Sequence, residues 1–220
     1  MKLFITGTDT GAGKTYVTAG LVRAARAAGL DGVGLKPLCC GSREDAELLH
    51  TAAGRALTLN EVNPVWLRAP LSPYAASMIE NRLIDLDLIR ETIAAARAKH
   101  ASVLLEGAGG WLAPITRDYT FADLARDLGW PVLLVAANRL GALNHTLLTL
   151  EAIRARGLIC AGVVLNQPAR PDEEDQLAVA TNCEILQTLT DAPVWELPHG
   201  GVIFAEPPWS RLFALDHPAA

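Results

Sequence analysis

The sequence has few of the features that mark exported, membrane-spanning or metal-thiolate proteins. Its four cysteines show neither the C-x-x-C spacing of a zinc site nor the density of a disulfide scaffold, so we expect reduced, mostly buried thiols. No apolar run approaches the roughly 20 residues of a membrane span. The few apolar residues between Lys2 and Gly7 are too short for a signal-peptide core. These absences predict a cytoplasmic location.

Long basic runs are absent as well. The net formal charge at pH 7 is −5, which gives no electrostatic footprint for nucleic acid or for an anionic membrane. Small molecules and a second copy of the chain are the expected partners. With 220 residues, of which 50% are hydrophobic, the chain can bury a sizeable core, which excludes a disordered or fibrous protein. We expect a single domain over residues 1–220.

Apolar runs of strand length alternate with helical patterns along the chain. This alternation predicts an α/β fold with a mostly parallel central sheet flanked by helices. The runs are nearly continuous, as in strands covered on both faces. The expected strands cover 3–6, 33–36, 103–106, 132–137, 162–166 and 194–197, and the clearest helices cover 87–99, 121–128 and 143–155. Asp87 is the expected cap of the first of these helices.

Two segments do not fit this alternation. Residues 56–82 contain three X-Pro pairs and predict a loop-rich excursion at the carboxyl end of the second strand, where a substrate site is commonly built. Residues 200–220, with three prolines, predict an irregular tail over the surface. No internal repeat or low-complexity linker interrupts the chain.

The stretch "TGTDTGAGKT" ends the first strand and leads into a helix. Such a turn directs unpaired backbone N–H groups and a helix dipole at one point, which suits phosphate. Lys14 is placed to reach the β- and γ-phosphates, and the Thr15 hydroxyl to hold Mg²⁺. Thr8 stands where the general P-loop signature has glycine, whereas Gly11 and Gly13 still allow close backbone approach. We therefore expect a P-loop NTPase-like nucleotide site.

Two charged residues end strands that should meet this loop, and a third, Asp45, lies at the start of a predicted helix. Glu106 ends an apolar strand in "SVLLEGAGG" and supplies a carboxylate that could orient Mg²⁺. Lys36 ends the second strand, so that Lys14 and Lys36 would converge on one anionic centre, as phosphoryl transfer to an anionic acceptor requires. Asp45 is ambiguous from its position alone, since a carboxylate there could also cap the helix from Ala46.

The chain resembles the ATP-dependent dethiobiotin synthetases over nearly its full length. The resemblance is carried by an ordered set of motifs, which is more specific than the P-loop itself: "TGTDTGAGKT", "KPLCCGS", "EDAELL", "VNP", "LSPYAAS", "LLEGAGGWLAPI", "FADLA", "LGALNH", "GVVLN" and "ELP". That family also has T-D-T at the start of its P-loop. The resemblance implies a P-loop homodimer that joins CO₂, 7,8-diaminononanoate and ATP into a ureido ring. One amine becomes a carbamate, ATP phosphorylates it, and the second amine closes the ring.

The resemblance also implies roles for individual residues. Thr15, Asp45 and Glu106 would hold Mg²⁺, Lys14 and Lys36 would bind phosphates and carbamate, and Thr10 would lie beside the transferring phosphate. The implied nucleotide-binding residues are Gly11, Ala12, Gly13, Lys14, Thr15, Tyr16, Asn166 and Pro198. The implied substrate-binding residues are Lys36, Cys40 and Gly109 together with Gly141, Ala142 and Asn144, which reach the carboxylate of a substrate bound at the other subunit.

The chain departs from the family at two positions and also in the short spacing between Lys36 and Asp45, where some members have a longer loop. Cys40 replaces a small hydroxyl residue near the substrate, and Tyr74 replaces a common histidine after Ser-Pro, so no catalytic role is transferred to either. His145 follows the family, although a helix residue packed at an interface is the better explanation of it.

Other functions remain open from the sequence. One is a P-loop ATPase switch of the partitioning type, against which stand Glu106-Gly107 at the strand end, Thr10 in place of a lysine, and the lack of a basic tail. Another is a related ligase acting on a different diamine or carboxylate. A glutamine-dependent amidoligase would need a fused glutaminase, for which 220 residues leave no room. A nucleotide-binding regulator without catalysis would not need the intact lysines and carboxylates.

Overall fold

The computed structural model describes residues 1–203 and 209–213, and it confirms the predicted α/β fold. The strands in the described residues are β1 (Lys2–Gly7), β2 (Gly32–Leu35), β3 (Leu38–Cys40), β4 (Val65–Leu67), β5 (Ser102–Glu106), β6 (Pro114–Thr116), β7 (Tyr119–Thr120), β8 (Val132–Ala137), β9 (Cys160–Asn166) and β10 (Val194–Leu197). Six of them form one sheet in the order β10-β9-β8-β1-β5-β2, in which every described pair is parallel.

Helices cover this sheet. In the same residues they are α1 (Lys14–Ala27), α2 (Glu44–Ala52), α3 (Leu59–Val62), α4 (Pro73–Ile79), α5 (Leu86–Lys99), α6 (Phe121–Leu128), α7 (Ala142–Arg154), α8 (Glu173–Leu189) and α9 (Ser210–Phe213). The central strand β1 explains the continuous apolar runs, because Leu3, Phe4 and Ile5 are all fully buried. Among the described residues, no helix has both the length and the hydropathy needed to cross a membrane.

The predicted strands and helices agree with the structure to within two residues at each end. Two local predictions need correction. The cap of α5 is Asp85, whose carboxylate accepts from the Leu88 N–H, and Asp87 lies inside the first turn. Lys36 follows the end of β2 rather than belonging to it, because its N–H leaves the ladder and donates to Val62 O at 2.9 Å.

The excursion 56–82 contains more regular structure than its prolines suggest. It holds α3, β4 and α4, and β4 pairs in parallel with the short strand β3 that follows Lys36. Trp66 of β4 fixes this small sheet by donating its indole N–H to Gly41 O at 2.7 Å. In the expected tail 200–220, residues 210–213 form a helical turn, and 204–208 and 214–220 lie outside the described residues.

The strand order brings the predicted site residues to one edge. β1, β5 and β2 are neighbours, and their carboxyl ends lead into the P-loop, Glu106 and Lys36 respectively. In a doubly wound sheet this edge forms the ligand crevice. The fold therefore brings the P-loop, Glu106 and Lys36, which are far apart in the sequence, to the same edge of the sheet.

Candidate functional site

The P-loop connects β1 to α1 through two glycines in left-handed conformation, Gly11 at φ 78° and Gly13 at φ 86°. Gly13 is the N-cap of α1, which has no side-chain cap and no acidic residue in its first turn. The first N–H groups of the helix are therefore open to an anion. A side chain at Gly13 would overlap the amide nitrogen of Asn166, so close packing as well as φ requires glycine there.

Lys14 lies folded along the loop. Its Nζ donates to Asp9 O at 3.0 Å, and a β-carbon at Gly7 would approach both the lysine side chain and Asp9 O at 3.1 Å. Gly7 thus leaves the space that the Lys14 side chain occupies. Burial, with repulsion from Lys36, lowers the pKa of Lys14 to about 8. An anionic phosphate would restore the stability of the charged form.

Lys36 is the centre of a buried ionic cluster. Its Nζ lies 2.6 Å from Glu106 Oε1 and 2.8 Å from Asp45 Oδ2, while the Thr15 hydroxyl donates to the same Glu106 oxygen at 2.7 Å. Lys36 is 4% exposed and Glu106 is 0% exposed. Burial alone would lower the pKa of Lys36, but the two carboxylates raise it above its ordinary value, so the lysine is charged.

Asp45 is not the helix cap that its position also allowed. Arg43 precedes the first residue of α2, and Asp45 lies in the first turn with its carboxylate on Lys36. Burial would raise its pKa, whereas the charge of Lys36 and the hydrogen bond from Lys36 lower it. Asp45, Glu106 and Thr15 are therefore brought together, as the metal-site prediction requires.

The oxygens of this cluster fit a hard divalent cation. Glu106 Oε2 is buried and has no hydrogen-bond partner, so one carboxylate oxygen is free to coordinate. No group of three or more His, Cys, Asp or Glu side chains in the described part of the chain could hold a metal. A cation here would depend on two carboxylates, the Thr15 hydroxyl and oxygens of a bound phosphate, a set that suits Mg²⁺.

A cleft of ≈ 1070 Å³ opens in front of this cluster. Thr10, Cys40 and Gly109 line it, together with residues of the P-loop, α4 and α7. Gly109 has φ 68°, and a β-carbon there would meet Ala113 at 3.1 Å. Burial, with repulsion from Glu80, raises the pKa of Cys40 to about 11, which leaves a neutral thiol facing the cleft.

Asn166 and Pro198, which were predicted to contact the nucleotide base, do not line the main cleft. Asn166 ends β9, is 2% exposed, and donates its amide to Ala12 O at 2.9 Å. Pro198 directly follows β10, which pairs with β9. Tyr16 lies at the rim of the main cleft, and its hydroxyl donates to Gly201 O at 2.6 Å. Asn166 thus supports the P-loop backbone, a role that its motif did not reveal.

Gly141, Ala142 and Asn144 form the start of α7 and do not line the main cleft. Like α1, this helix begins after a left-handed glycine, with Gly141 at φ 86°, and has neither a side-chain cap nor an acidic residue in its first turn. Later residues of the helix do reach the cleft, through Leu148 and Ala152. Within this chain, the α7 start and the Lys36 cluster are separate.

Two residues that support the Lys36 backbone were not predicted from the sequence. Arg43 and Asn63 hydrogen-bond to each other, Nε to Oδ1 at 2.9 Å, and the Asn63 amide donates to Lys36 O at 2.8 Å. The motif "VNP" was one of those that carry the resemblance, and it was the available signal for Asn63.

Comparisons with known proteins identify the family to which the chain belongs. A family model described as an AAA domain matches residues 1–195. The ATP-dependent dethiobiotin synthetase of Akkermansia muciniphila is 47% identical over 200 residues, which cover 90% of this chain and 92% of that protein. The enzyme of the same name from Anaeromyxobacter dehalogenans is 50% identical over 192 residues, covering 86% of this chain and 85% of the relative. The chain belongs to the ATP-dependent dethiobiotin synthetase family.

Solved structures of lower identity support the fold of this dethiobiotin synthetase family member. The cell division ATPase MinD of Pyrococcus furiosus aligns with a TM-score of 0.54 at 16% identity, over 97% of this chain and 99% of its own. The septum site-determining protein MinD of Pyrococcus horikoshii aligns with a TM-score of 0.53 at 19% identity, over 90% and 82%. At such identities the likeness shows the P-loop fold alone and does not favour a partitioning switch.

Proposed function

We propose that this protein uses ATP to convert CO₂ and 7,8-diaminononanoate into dethiobiotin, with release of ADP and phosphate. Two observations support this proposal. The chain belongs to the dethiobiotin synthetase family, and one cleft is lined by both lysines and by the proposed metal ligands, namely Lys14, Lys36, Thr15, Asp45 and Glu106. The nucleotide phosphates would lie on the P-loop, and the diamine would lie in the cleft beyond them. We extend this ligase assignment to residues 1–220 as one domain, working in the cytoplasm.

The reaction needs three bond-forming steps. A substrate amine attacks the carbon of CO₂ and loses a proton, which gives a carbamate. A carbamate oxygen then attacks the γ-phosphorus, the bond to the ADP oxygen breaks, and a carbamic-phosphoric anhydride forms. The second amine attacks the carbonyl carbon of the anhydride, phosphate leaves, and the ureido ring is closed.

The two buried lysines would compensate the negative charge that builds up in the second step. Carbamate and γ-phosphate are both anions, and their approach builds negative charge that must be compensated in the transition state. Lys14 and Lys36 both line the cleft at the carboxyl edge of the sheet. Lys36 would leave part of its carboxylate contacts to bind the carbamate, and Thr10 would lie beside the transferring phosphate.

Mg²⁺ would be held by Thr15, Asp45 and Glu106. The unpartnered Glu106 Oε2 supports this assignment. When bound, the ion would neutralise charge on the β- and γ-phosphate oxygens.

The other predicted site residues would contact the nucleotide and the two ends of the substrate. Gly11, Ala12 and Gly13 would bind phosphate through the backbone, and Tyr16, Asn166 and Pro198 would surround the nucleoside. Cys40 and Gly109 would contact the diamine, since both line the cleft. The uncapped start of α7 at Gly141, Ala142 and Asn144 suits the substrate carboxylate.

Because the α7 start and the Lys36 cluster are separate within one subunit, we place the two ends of the substrate on different subunits of a homodimer. Exposed leucines at the cleft support a covering partner: Leu71 is 47%, Leu112 is 56% and Leu148 is 57% exposed. In this arrangement each substrate site is completed by the second copy.

The proposed function is tested by measuring phosphate release from ATP and Mg²⁺ with and without bicarbonate and 7,8-diaminononanoate, with mass spectrometry of the product. We expect release to require both substrates and to yield dethiobiotin. Nucleotide binding without substrate-dependent release would contradict the proposal. Turnover with another diamine, but not with 7,8-diaminononanoate, would correct its substrate.

A further inference from the structure

Asn63 joins the two chain segments that carry Lys36 and Asp45. It lies in the excursion, directly after α3, and is 1% exposed. One amide hydrogen goes to Lys36 O at 2.8 Å and the other to Val65 O at 2.8 Å, while Oδ1 accepts from Arg43 Nε at 2.9 Å. The donors and the acceptor of this buried side chain are therefore all in use.

The Lys36 end of this connection lies where the main sheet stops. β2 is the edge strand of the six-stranded sheet, and the chain leaves it at Lys36. There the Lys36 N–H donates to Val62 O at 2.9 Å, and the Lys36 carbonyl accepts from the Asn63 amide. Both backbone polar groups of Lys36 are thus held by Val62 and Asn63, which fixes the point from which its side chain starts.

The Asp45 end is held through Arg43, the residue before α2. Besides its bond to Asn63 Oδ1, the Arg43 guanidinium donates to Asn63 O at 2.9 Å and lies over the Trp66 ring, 5.3 Å from the centroid. Asp45 follows two residues later, in the first turn of α2. Asn63 therefore connects the residue before α2 to the Lys36 carbonyl.

We infer that Asn63 is a positioning residue that sets the geometry of the Lys36–Asp45 pair by linking the Lys36 carbonyl to Arg43. The ammonium and carboxylate are 2.8 Å apart, and both belong to the proposed anion and metal machinery. Small displacements of such groups cost rate even when the fold is intact. This role of Asn63 rests on the function proposed above.

The test uses the full-length chain with Asn63→Ala. We expect kcat for ureido ring closure to fall by about 10- to 100-fold, the cost of a misplaced catalytic group. The KM for ATP should change little, because the P-loop makes none of these contacts. Thr58→Ala is the matched control: it removes the capping box of α3 in the same excursion and leaves the Asn63 bonds in place. It should lower the melting temperature without lowering kcat.

Arg43→Leu is a second variant that tests the same connection, and it replaces Asn63→Ala if that variant fails to fold. It breaks the Asp45 end of the connection and should lower kcat in the same way. The double variant should be no slower than the slower single variant, because both changes break one connection. Multiplied losses of kcat, or a parallel rise of the KM for ATP, would overturn the positioning role and indicate general loss of structure.

The result separates this inference from the proposed function. A wild-type protein that forms dethiobiotin, beside a folded Asn63→Ala variant with unchanged kcat, overturns the positioning role alone. A wild-type protein that forms no ureido product overturns the proposed function, and the role of Asn63 with it.

Discussion

The P-loop wall of the cleft, residues 7–16, is shaped by backbone conformation, whereas the opposite wall, residues 36–82, is held by side chains. On the first wall, left-handed glycines and the uncapped start of α1 create the site. On the second, the Asn63 amide donates to the Lys36 carbonyl, and Asn63 Oδ1 accepts from Arg43, which precedes the helix that carries Asp45. A backbone-built wall can be read from a local motif, but a wall built by side chains depends on tertiary contacts.

Removing Lys36 should have the largest effect, and it should distinguish the wall that binds the carbamate from the wall that binds the nucleotide. Lys36→Ala takes away the charge proposed to bind the carbamate, and we expect turnover to fall by about 10³-fold, the upper range for loss of one transition-state donor. Nucleotide affinity should stay largely intact, because Lys14 and the P-loop amides remain. Steady-state kinetics and equilibrium binding of ATP measure the two quantities.

The control for Lys36→Ala is Lys99→Ala, which removes a lysine that is 61% exposed and paired with Glu61 at 3.5 Å. Such a surface pair contributes little to stability, and both activity and nucleotide affinity should match the wild type. An equal loss of turnover and nucleotide affinity in Lys36→Ala would make Lys36 a nucleotide ligand only.

Glu106 lies between the walls, since it contacts both Thr15 and Lys36. Glu106→Gln keeps the size of the side chain and removes its charge. The Mg²⁺ concentration needed for half-maximal activity should rise by up to about 100-fold, the upper end of what loss of a metal-site partner costs. Titration of activity with Mg²⁺ at saturating ATP measures this, and an unchanged requirement would remove Glu106 from the metal site.

The P-loop wall was also easier to predict from the sequence than the wall held by side chains. The six strands of the sheet, the P-loop and Glu106 were predictable because apolar runs, glycines and a strand-end carboxylate are local patterns. Asp45 stayed ambiguous, because a carboxylate at the start of a helix caps it in one fold and pairs with a distant lysine in another. Asn63 was not identified, because its partners Arg43 and Lys36 are 20 and 27 residues away and no periodicity links them.

The P-loop wall should be most sensitive to substitutions that strain its backbone. Gly13→Ala adds a β-carbon that overlaps the Asn166 amide, and it also strains φ. We expect a loss of unfolding free energy of about 2 kcal/mol or more, from a left-handed cost of about 1–2 kcal/mol together with overpacking. Denaturant unfolding of the nucleotide-free protein measures it.

Gly11→Ala is the matched control for the P-loop. Gly11 has φ 78°, close to that of Gly13, but a β-carbon there would meet nothing within 4 Å. Only the backbone strain should appear, so Gly11→Ala should be the milder change. Equal destabilisation by the two variants would show that packing against Asn166 adds nothing.

The smallest effect concerns pH and again separates the two lysines. In the free protein, burial and repulsion from Lys36 lower the pKa of Lys14 to about 8, whereas carboxylates keep Lys36 charged. Because phosphate binds the ammonium form, affinity for a non-hydrolysable ATP analogue should be lost as pH rises through this value, by about tenfold per pH unit above it. Calorimetry between pH 7 and pH 9.5 measures this dependence. Lys14→Met should bind more weakly but lose the decline, and a flat wild-type profile would show that Lys14 stays protonated.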